Sequence, residues 1–302
     1  MRQARLKPTG QAVFYHLYNR VSGTQDDRPF GEAEKEKFIQ LLHKLTAFYT
    51  VRILAYQVMS NHFHLVVHAP AEPPAIDQIC NRYRQYYGRP LDPSDPRCAL
   101  FGERMRDISW FMHALEHTFS CWFNRSRPIR RRGSLWADRF KNTVLGDARA
   151  VWECCKYVEM NSVRAGIVSD PAAYRFSSYG DWCERGKHPF EENLTRILLP
   201  SIQGIYPFQT LAQVRNSLGA AFTEAGAKRK QGKAEPHTFR LTLDQRTRCW
   251  VDGIVIGSEL YVLAMMARHR KRAGLQLEKP VRAETVEPGS VGIFCGKKLR
   301  AV

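Results

Sequence analysis

The sequence lacks the features of several common protein classes. Its eight cysteines form no C-x-x-C pair, which argues against a zinc ribbon or finger, and they are too sparse for a disulfide scaffold. No apolar run is long enough to cross a membrane, and the first residues contain no apolar segment of the kind found in signal peptides. We therefore expect neither a secreted nor a membrane protein, but a cytoplasmic one with buried thiols.

Acidic residues are also few relative to basic ones. Lys and Arg total 46 against 29 Asp and Glu, which gives a formal net charge of +17. Such an excess suggests a polyanionic partner, most commonly nucleic acid, although solubility alone is the alternative. The hydrophobic fraction of 44% and the aromatic fraction of 11% indicate a globular chain. Its 302 residues correspond to about two domains.

Hydrophobic periodicity predicts an α+β fold in the first part of the chain. Strands are expected over 11–21, twice within 51–69 and within 135–146, and helices over 31–49, 75–87, 107–124 and 147–163. Asp147 is the predicted N-cap of the last helix, and Gly166 is its predicted C-cap. Strand, helix, strand, strand, helix, strand and helix is the order of a split βαβ unit. We therefore predict a ferredoxin-like antiparallel sheet with helices on one face.

The pattern weakens after Trp182, and three regions are predicted. Residues 1–183 form the main domain, and 184–236 form a helical connector that ends in a basic linker over 225–236. Residues 237–302 form a small C-terminal extension. Within it we expect a short strand at Phe239 and Leu241, followed by a helix that contains Leu260 and Met266 and ends in the basic run RHRKR.

Two histidines, His62 and His64, lie in the last strand predicted within 51–69. Because side chains alternate along a strand, both project from one face while Phe63 points to the other, apolar face. Two imidazoles at this spacing can share one divalent cation. Two hydrogen-bonded or exposed histidines without a metal are the alternative.

Tyr157 and Asn161 are four residues apart in the helix predicted over 147–163, so they lie one turn apart on one face. A tyrosine hydroxyl can attack phosphorus, and an asparagine carbonyl is a suitable oxygen ligand for Mg²⁺ or Mn²⁺. The alternative for Tyr157 is a partly buried aromatic residue with a satisfied hydroxyl.

A basic stretch connects the predicted helix over 107–124 to the next strand. Its arginines, which we expect to contact phosphates, are Arg125, Arg127, Arg130, Arg131 and Arg132. Trp136 follows and is either a base-stacking residue or part of the core. Lys141 is a further candidate phosphate contact, with an ordinary surface lysine as the alternative.

Three segments occur in order along the chain: VMSNHFHLVV, SLWADRFKNTVL and CKYVEMNSVRAGIV. Together they resemble the HUH-type single-tyrosine transposases and, more closely, the REP-associated tyrosine transposases. The resemblance covers about residues 12–182. A fainter similarity in CWVDGIVIGSELYVLAMMARHRKR resembles the C-terminal extension of longer family members.

The resemblance implies roles for the candidate residues. His62 and His64 would be the metal-binding pair, Asn161 the third ligand for Mg²⁺ or Mn²⁺, and Tyr157 the nucleophile. Single-stranded or hairpin DNA would be the substrate, in the bacterial nucleoid, with monomer and homodimer both open. One departure is visible, since Ser162 stands where the family has proline and thus keeps a backbone donor.

The expected function is that of a metal-dependent endonuclease and strand transferase for single-stranded DNA, which acts on hairpin-forming repeats through a 5′-phosphotyrosine intermediate. A non-cleaving hairpin-binding relative is one alternative. An RNA-binding protein with the topology of the RNA recognition motif is another, and it would need exposed aromatic residues on the sheet.

Overall fold

The computed structural model describes residues 5–24, 27–127, 133–230, 249–250, 253–273, 281–282 and 293–297. The strands are β1 Val13–Arg20, β2 Arg52–Val58, β3 His62–Ala69, β4 Lys141–Leu145, β5 Gly253–Gly257, β6 Val281–Arg282 and β7 Phe294–Lys297. The first helices are α1 Glu32–Phe48, α2 Ile76–Tyr87, α3 Arg97–Arg106, α4 Ile108–Arg125, α5 Ala148–Glu159 and α6 Asn161–Arg164. They are followed by α7 Ser178–Arg185, α8 Glu191–Asn193, α9 Leu199–Ile202, α10 Leu211–Lys230 and α11 Glu259–Ala273. None of the helices in these described ranges is both long and apolar enough to span a membrane.

The elements predicted before residue 165 are present, with one addition. Helix α3 lies over residues for which no element was predicted, because its periodic hydrophobic signal is weak. The predicted N-cap is correct, since the Asp147 carboxylate accepts a hydrogen bond from the Ala150 backbone N–H at 2.8 Å. Gly166 adopts a left-handed φ of 70° directly after α6, as a C-terminal glycine does.

The chain folds as α+β around one mixed sheet. The strand order is β2-β3-β1-β4-β5-β7-β6. The pairs among β1 to β4 are all antiparallel, whereas β4 and β5 pair in parallel. The α+β class predicted from the sequence is therefore confirmed.

Helices cover both faces of the sheet, so the prediction of helices on one face is wrong. On one side, Phe38 of α1 packs against Phe63 with ring centroids 4.7 Å apart, and Phe119 of α4 packs on Phe38. On the other side, Tyr157 of α5 meets His64, which follows Phe63 and points the opposite way. The second face must be covered because Val66 and Leu145 also lie on it and are fully buried with α5.

The C-terminal region joins the same sheet. Val144 and Leu145 of β4 pair with Val255 and Ile256 of β5. Helix α10 continues to Lys230, so the first part of the segment predicted as a linker is helical. The predicted strand at Phe239 and Leu241 lies outside the described residues, and the domain boundaries at 183 and 236 stay predictions.

Candidate functional site: a buried histidine–tyrosine cluster

His62 and His64 lie on one face of β3, as the alternation along this strand predicted. Their ring centroids are 5.1 Å apart with the planes nearly perpendicular. His64 is buried, with 4% of its surface exposed, and His62 is partly exposed at the start of the strand. The two histidines therefore extend from the partly exposed start of β3 at His62 into the buried interior at His64.

A third histidine, His16 of β1, completes this group and was not recognised from the sequence. Its Nε2 atom lies 2.9 Å from Nδ1 of His64, and its Nδ1 atom lies 3.1 Å from the carbonyl oxygen of Trp250. His16 is fully buried. Alternation in β1 places His16 and Tyr18 on one face, but only the register of β1 against β3 reveals that His16 reaches His64.

Burial keeps these imidazoles neutral at neutral pH. It lowers the pKa of His16 and of His62 to about 4. The pKa of His64 lies well below its ordinary value because of burial and, secondarily, the neighbouring His16 and His62. A neutral imidazole retains a lone pair on one nitrogen, which is the form that binds a metal ion.

Tyr157 faces this group from α5. Its ring centroid is 5.8 Å from that of His64 and 5.7 Å from that of His16, edge to face in both cases. The indole of Trp250 stacks on the phenol ring at 5.5 Å with a 24° angle between the planes. Tyr157 is only 8% exposed. The motifs of β3 and α5, which are distant in the sequence, thus meet at one site.

Arg164 is the second residue that sequence analysis missed. Its guanidinium carbon lies 4.1 Å from the centre of the Tyr157 ring, and its Nη2 donates a hydrogen bond to the Tyr157 carbonyl at 2.6 Å. Burial raises the pKa of Tyr157, while the charge of Arg164 and the polar groups of Asn161 and Arg164 oppose that increase. Arg164 lies beyond the break at Met160, so the spacing of residues within α5 did not identify it.

A break between α5 and α6 at Met160 places Asn161 at the first position of a new short helix. Ser162 has the backbone donor that a proline at this position would lack: its N–H donates to Gln57 Oε1 at 3.1 Å. Gln57 Nε2 in turn donates to Ser162 Oγ at 3.0 Å. These two hydrogen bonds connect α6, which begins at Asn161, to Gln57 of β2.

The donor set fits a divalent cation in one respect. The Asn61 side-chain oxygen lies 2.7 Å from His62 Nδ1, so His62 and His64 both bond through Nδ1 and keep Nε2 available. Asn161 Nδ2 is buried without a hydrogen-bond partner among the described residues, but this atom is a donor and does not bind a cation, so the ligand would be the side-chain oxygen of Asn161. Within the same part of the chain, no group of three or more His, Cys, Asp or Glu residues is arranged to hold a metal ion. Two imidazoles and an amide oxygen are thus the available set, and their role as ligands stays a prediction.

The residues predicted to contact phosphates differ in their surroundings. Arg127 forms an ion pair with Glu34 and stacks on the Phe123 ring, whereas the exposed Arg125 donates only to the Cys121 carbonyl at 3.0 Å. Lys141 is exposed, with its amine 5.5 Å from the ring of Tyr18, which itself neighbours His64. Arg130, Arg131 and Arg132 lie outside the described residues.

Trp136 belongs to the core, the second of the two roles considered for it. It is 8% exposed, and its indole N–H donates to the Glu116 carbonyl at 3.2 Å. Its ring packs against Phe63 and Phe119. It is therefore not placed to stack on bases.

Comparison with known proteins gives distant structural likeness only. No family model matches the chain, and a search of curated proteins finds no match. Among solved structures, the chain is similar to a REP-associated tyrosine transposase bound to a REP hairpin. The identity is 14% and the TM-score 0.42, over 63% of this chain and 90% of that one. Similarity at this level carries no argument about function.

Proposed function

We propose that the protein is a metal-dependent endonuclease and strand transferase for single-stranded DNA, of the HUH single-tyrosine type. One observation carries the proposal: the ring of Tyr157 on α5 contacts the ring of His64 on β3, which in turn contacts His62, although the two elements are distant in sequence. Burial of polar side chains costs free energy, and a buried cluster of titratable residues is therefore a candidate functional site. The motif residues and their meeting point support the same chemistry.

In this mechanism Tyr157 is the nucleophile. Its hydroxyl oxygen forms a bond to phosphorus at the DNA backbone and the bond from phosphorus to the 3′-oxygen breaks. The products are a 5′-phosphotyrosine link and a free 3′-hydroxyl. The phenol proton is lost, and the leaving oxygen gains one. One phosphodiester replaces another, so the strand can be rejoined without an external energy source.

Four residues of this chain would assist that step. The guanidinium of Arg164 lies over the phenol ring, where its positive charge stabilises the phenolate that develops. His62 and His64 would hold a Mg²⁺ or Mn²⁺ ion with Asn161. When bound, that cation would polarise the scissile phosphate and neutralise developing charge.

Hairpin or single-stranded DNA is the proposed substrate. Leu135 lies at the sheet end where β3 begins, because the Val21 N–H donates to the Asn61 carbonyl and the Ser22 N–H donates to the Leu135 carbonyl, each at 2.8 Å. His62 begins β3 at this end, and Arg125, which is exposed, is the last residue of α4. In the proposed complex, the DNA backbone contacts Arg125 and reaches His62 from this end of the sheet.

We also propose the finer fold assignment that goes with this function. The order β2-β3-β1-β4 and its antiparallel pairs are those of a ferredoxin-like unit. In the proposed version, the tyrosine helix α5 packs on the face opposite α1 and α4. Residues 1–183 would form this domain.

A non-cleaving hairpin-binding protein is the second candidate, and one observation favours it. Tyr157 is 8% exposed beneath Trp250, and a buried nucleophile with a raised pKa is less reactive. An RNA-binding protein with the RNA recognition motif topology has less support. That motif binds RNA on an open sheet face, whereas α1, α4 and α5 cover both faces here.

The test is covalent capture of DNA. The purified full chain is incubated with a labelled library of single-stranded hairpin oligonucleotides and Mn²⁺, and adducts are resolved on a denaturing gel. We expect a protein–DNA adduct that disappears with a chelator and in Tyr157→Phe. Tyr87→Phe, which removes an exposed tyrosine hydroxyl, is the matched control and should form the adduct normally.

Three outcomes would contradict the proposal or one of its residue assignments. Hairpin retention without adduct, across several metals and sequences, would favour the non-cleaving binder. An adduct that persists in Tyr157→Phe would assign the nucleophile to another residue. Binding to RNA but not to hairpin DNA would support the third candidate.

A further inference from the structure

We propose that the segment Cys249–Trp250 of the C-terminal region is part of the active site: its backbone sets the tautomer of His64 through His16, and its indole positions Tyr157. This inference rests on the proposed function. It assigns a role to a region that would otherwise be an appended extension. His16 and Trp250 are then positioning residues, since each acts through a residue of the site.

The first step concerns the direction of two hydrogen bonds. The Trp250 carbonyl can only accept, so Nδ1 of His16 must carry the proton of the 3.1 Å contact. A neutral His16 then has a lone pair on Nε2, and it accepts from Nδ1–H of His64 across 2.9 Å. His64 is left with its lone pair on Nε2, the atom free for a metal ion.

The second step concerns water. His16 is fully buried, and His64 and Trp250 are 4% and 7% exposed. Bulk water therefore has little access to replace the carbonyl or to donate to His16 in its place. The peptide carbonyl at Trp250 is the group that determines the orientation of both imidazoles.

The third step concerns the nucleophile. The Trp250 indole stacks on Tyr157 at 5.5 Å and a plane angle of 24°, while His16 contacts the same phenol ring edge to face. The phenol thus lies between residues of β1, β3 and the C-terminal segment. Because an in-line attack tolerates little misplacement, the contacts that fix this ring affect the rate of reaction more than the binding of DNA.

The segment is anchored rather than loosely attached. Cys295 of β7 donates its thiol to the Cys249 carbonyl at 3.7 Å, and Thr143 of β4 donates its hydroxyl to the Gly253 carbonyl at 2.7 Å. Both contacts are buried. The parallel pairing of β5 with β4 holds the following residues in the sheet. The position of Trp250 is therefore set by the same sheet that carries His16 and His64.

The experiment uses the full chain with substitutions at Trp250 and His16. Adduct formation is measured at saturating hairpin, hairpin affinity is measured in a Tyr157→Phe background, and Mn²⁺ affinity is measured by electron paramagnetic resonance without DNA. Trp110→Ala, which removes an exposed tryptophan on α4, is the matched control. Nitrogen-15 NMR of the imidazoles reports the His64 tautomer in the metal-free protein.

We expect Trp250→Ala to slow adduct formation by about 10–100-fold with hairpin affinity unchanged, since positioning is lost and binding is not. Trp250→Phe keeps an aromatic ring on Tyr157 and should recover most of the rate. We expect His16→Ala to weaken Mn²⁺ binding by about 10–100-fold, as loss of an outer-shell partner does. His16→Gln can donate to the carbonyl and accept from His64, so it should bind Mn²⁺ more tightly than His16→Ala.

Several results would overturn this inference. They are an unchanged or faster rate in Trp250→Ala, an unchanged Mn²⁺ affinity in His16→Ala, or an Nε2–H tautomer of His64 in the native protein. If Trp250→Ala does not fold, Trp250→Phe and the His16 pair decide the question. If the native protein forms no adduct with any hairpin, the proposed function fails. The tautomer and the Mn²⁺ measurements still test whether the Trp250 carbonyl sets the tautomer of His64 through His16.

Discussion

The two faces of β3 differ completely although their residues alternate along one strand. On one face Phe63, Leu65 and Val67 are fully buried beneath α1 and α4 in a cluster of aliphatic and aromatic side chains. On the other face His62 and His64 meet His16, Tyr157 and Trp250 beneath α5.

The difference separates stability from chemistry. The side chains of Phe63, Leu65 and Val67 gain free energy from burial and have no polar atoms to satisfy. The histidine face contains buried ring nitrogens that need partners, and His16 meets this need by donating to the Trp250 carbonyl and accepting from His64. A substitution on the first face should therefore act on folding, and one on the second face should act on the site.

The largest effect on stability is expected for Phe63→Ala. Phe63 is fully buried against Phe38 and Trp136, so its truncation should lower the free energy of unfolding by about 3–5 kcal/mol. Urea denaturation measures this change. Phe63→Leu is the control and should lose much less. If Phe63→Ala lost less free energy of unfolding than the histidine variants, the assignment of stability to the apolar face would be contradicted.

An intermediate effect is expected for His64→Ala. It leaves His16 Nε2 buried without a partner, which should lower the free energy of unfolding by about 1–3 kcal/mol. His62→Ala should cost less, because His62 is partly exposed and bonds to the adjacent Asn61. Both variants should abolish metal-dependent adduct formation. If the two variants instead lost adduct formation in proportion to their losses in free energy of unfolding, the histidines would have a purely structural role.

The smallest effect concerns a buried carboxyl on the apolar side. Burial raises the pKa of Glu116 of α4 to about 7, although Asn19 Nδ2 donates to it at 2.8 Å. The folded state therefore holds this proton more tightly than the unfolded state. Its contribution to stability is greatest below the unfolded pKa and falls as pH rises toward about 7.

Glu116→Gln should flatten that fall in unfolding free energy by on the order of 1 kcal/mol, measured by urea denaturation between acid and neutral pH. Glu72→Gln removes an exposed carboxylate and is the control. An unchanged pH slope in Glu116→Gln would show that this carboxyl does not hold its proton in the folded protein.

Local patterns were sufficient for much of the fold. The spacing of Phe38, Leu41 and Leu45 predicted α1, and the position of Asp147 predicted the start of α5. Helix α3 was missed because its local hydrophobic signal is weak. The prediction that all helices lie on one face of the sheet was wrong. Periodicity shows which side of a helix is apolar, but not which face of the sheet that helix covers.

The candidate site was also predicted in part. His62 and His64 on one face follow from alternation alone, and Tyr157 and Asn161 were chosen by spacing and by resemblance. His16, Arg164 and Trp250 were not recognised. His16 and Trp250 come from strands or segments far along the chain, and Arg164 lies beyond a helix break at Met160 that the pattern did not show.

The sequence by itself determined the elements, the shared face of His62 and His64, and the positive charge, because these depend on neighbouring residues and on composition. Only the tertiary structure decided that α5 lies opposite α1 and α4, that His16 bonds to His64, and that Trp250 stacks on Tyr157. The physical reason is that strand register and helix packing are set by contacts between distant segments, and local periodicity contains no information about which segments meet.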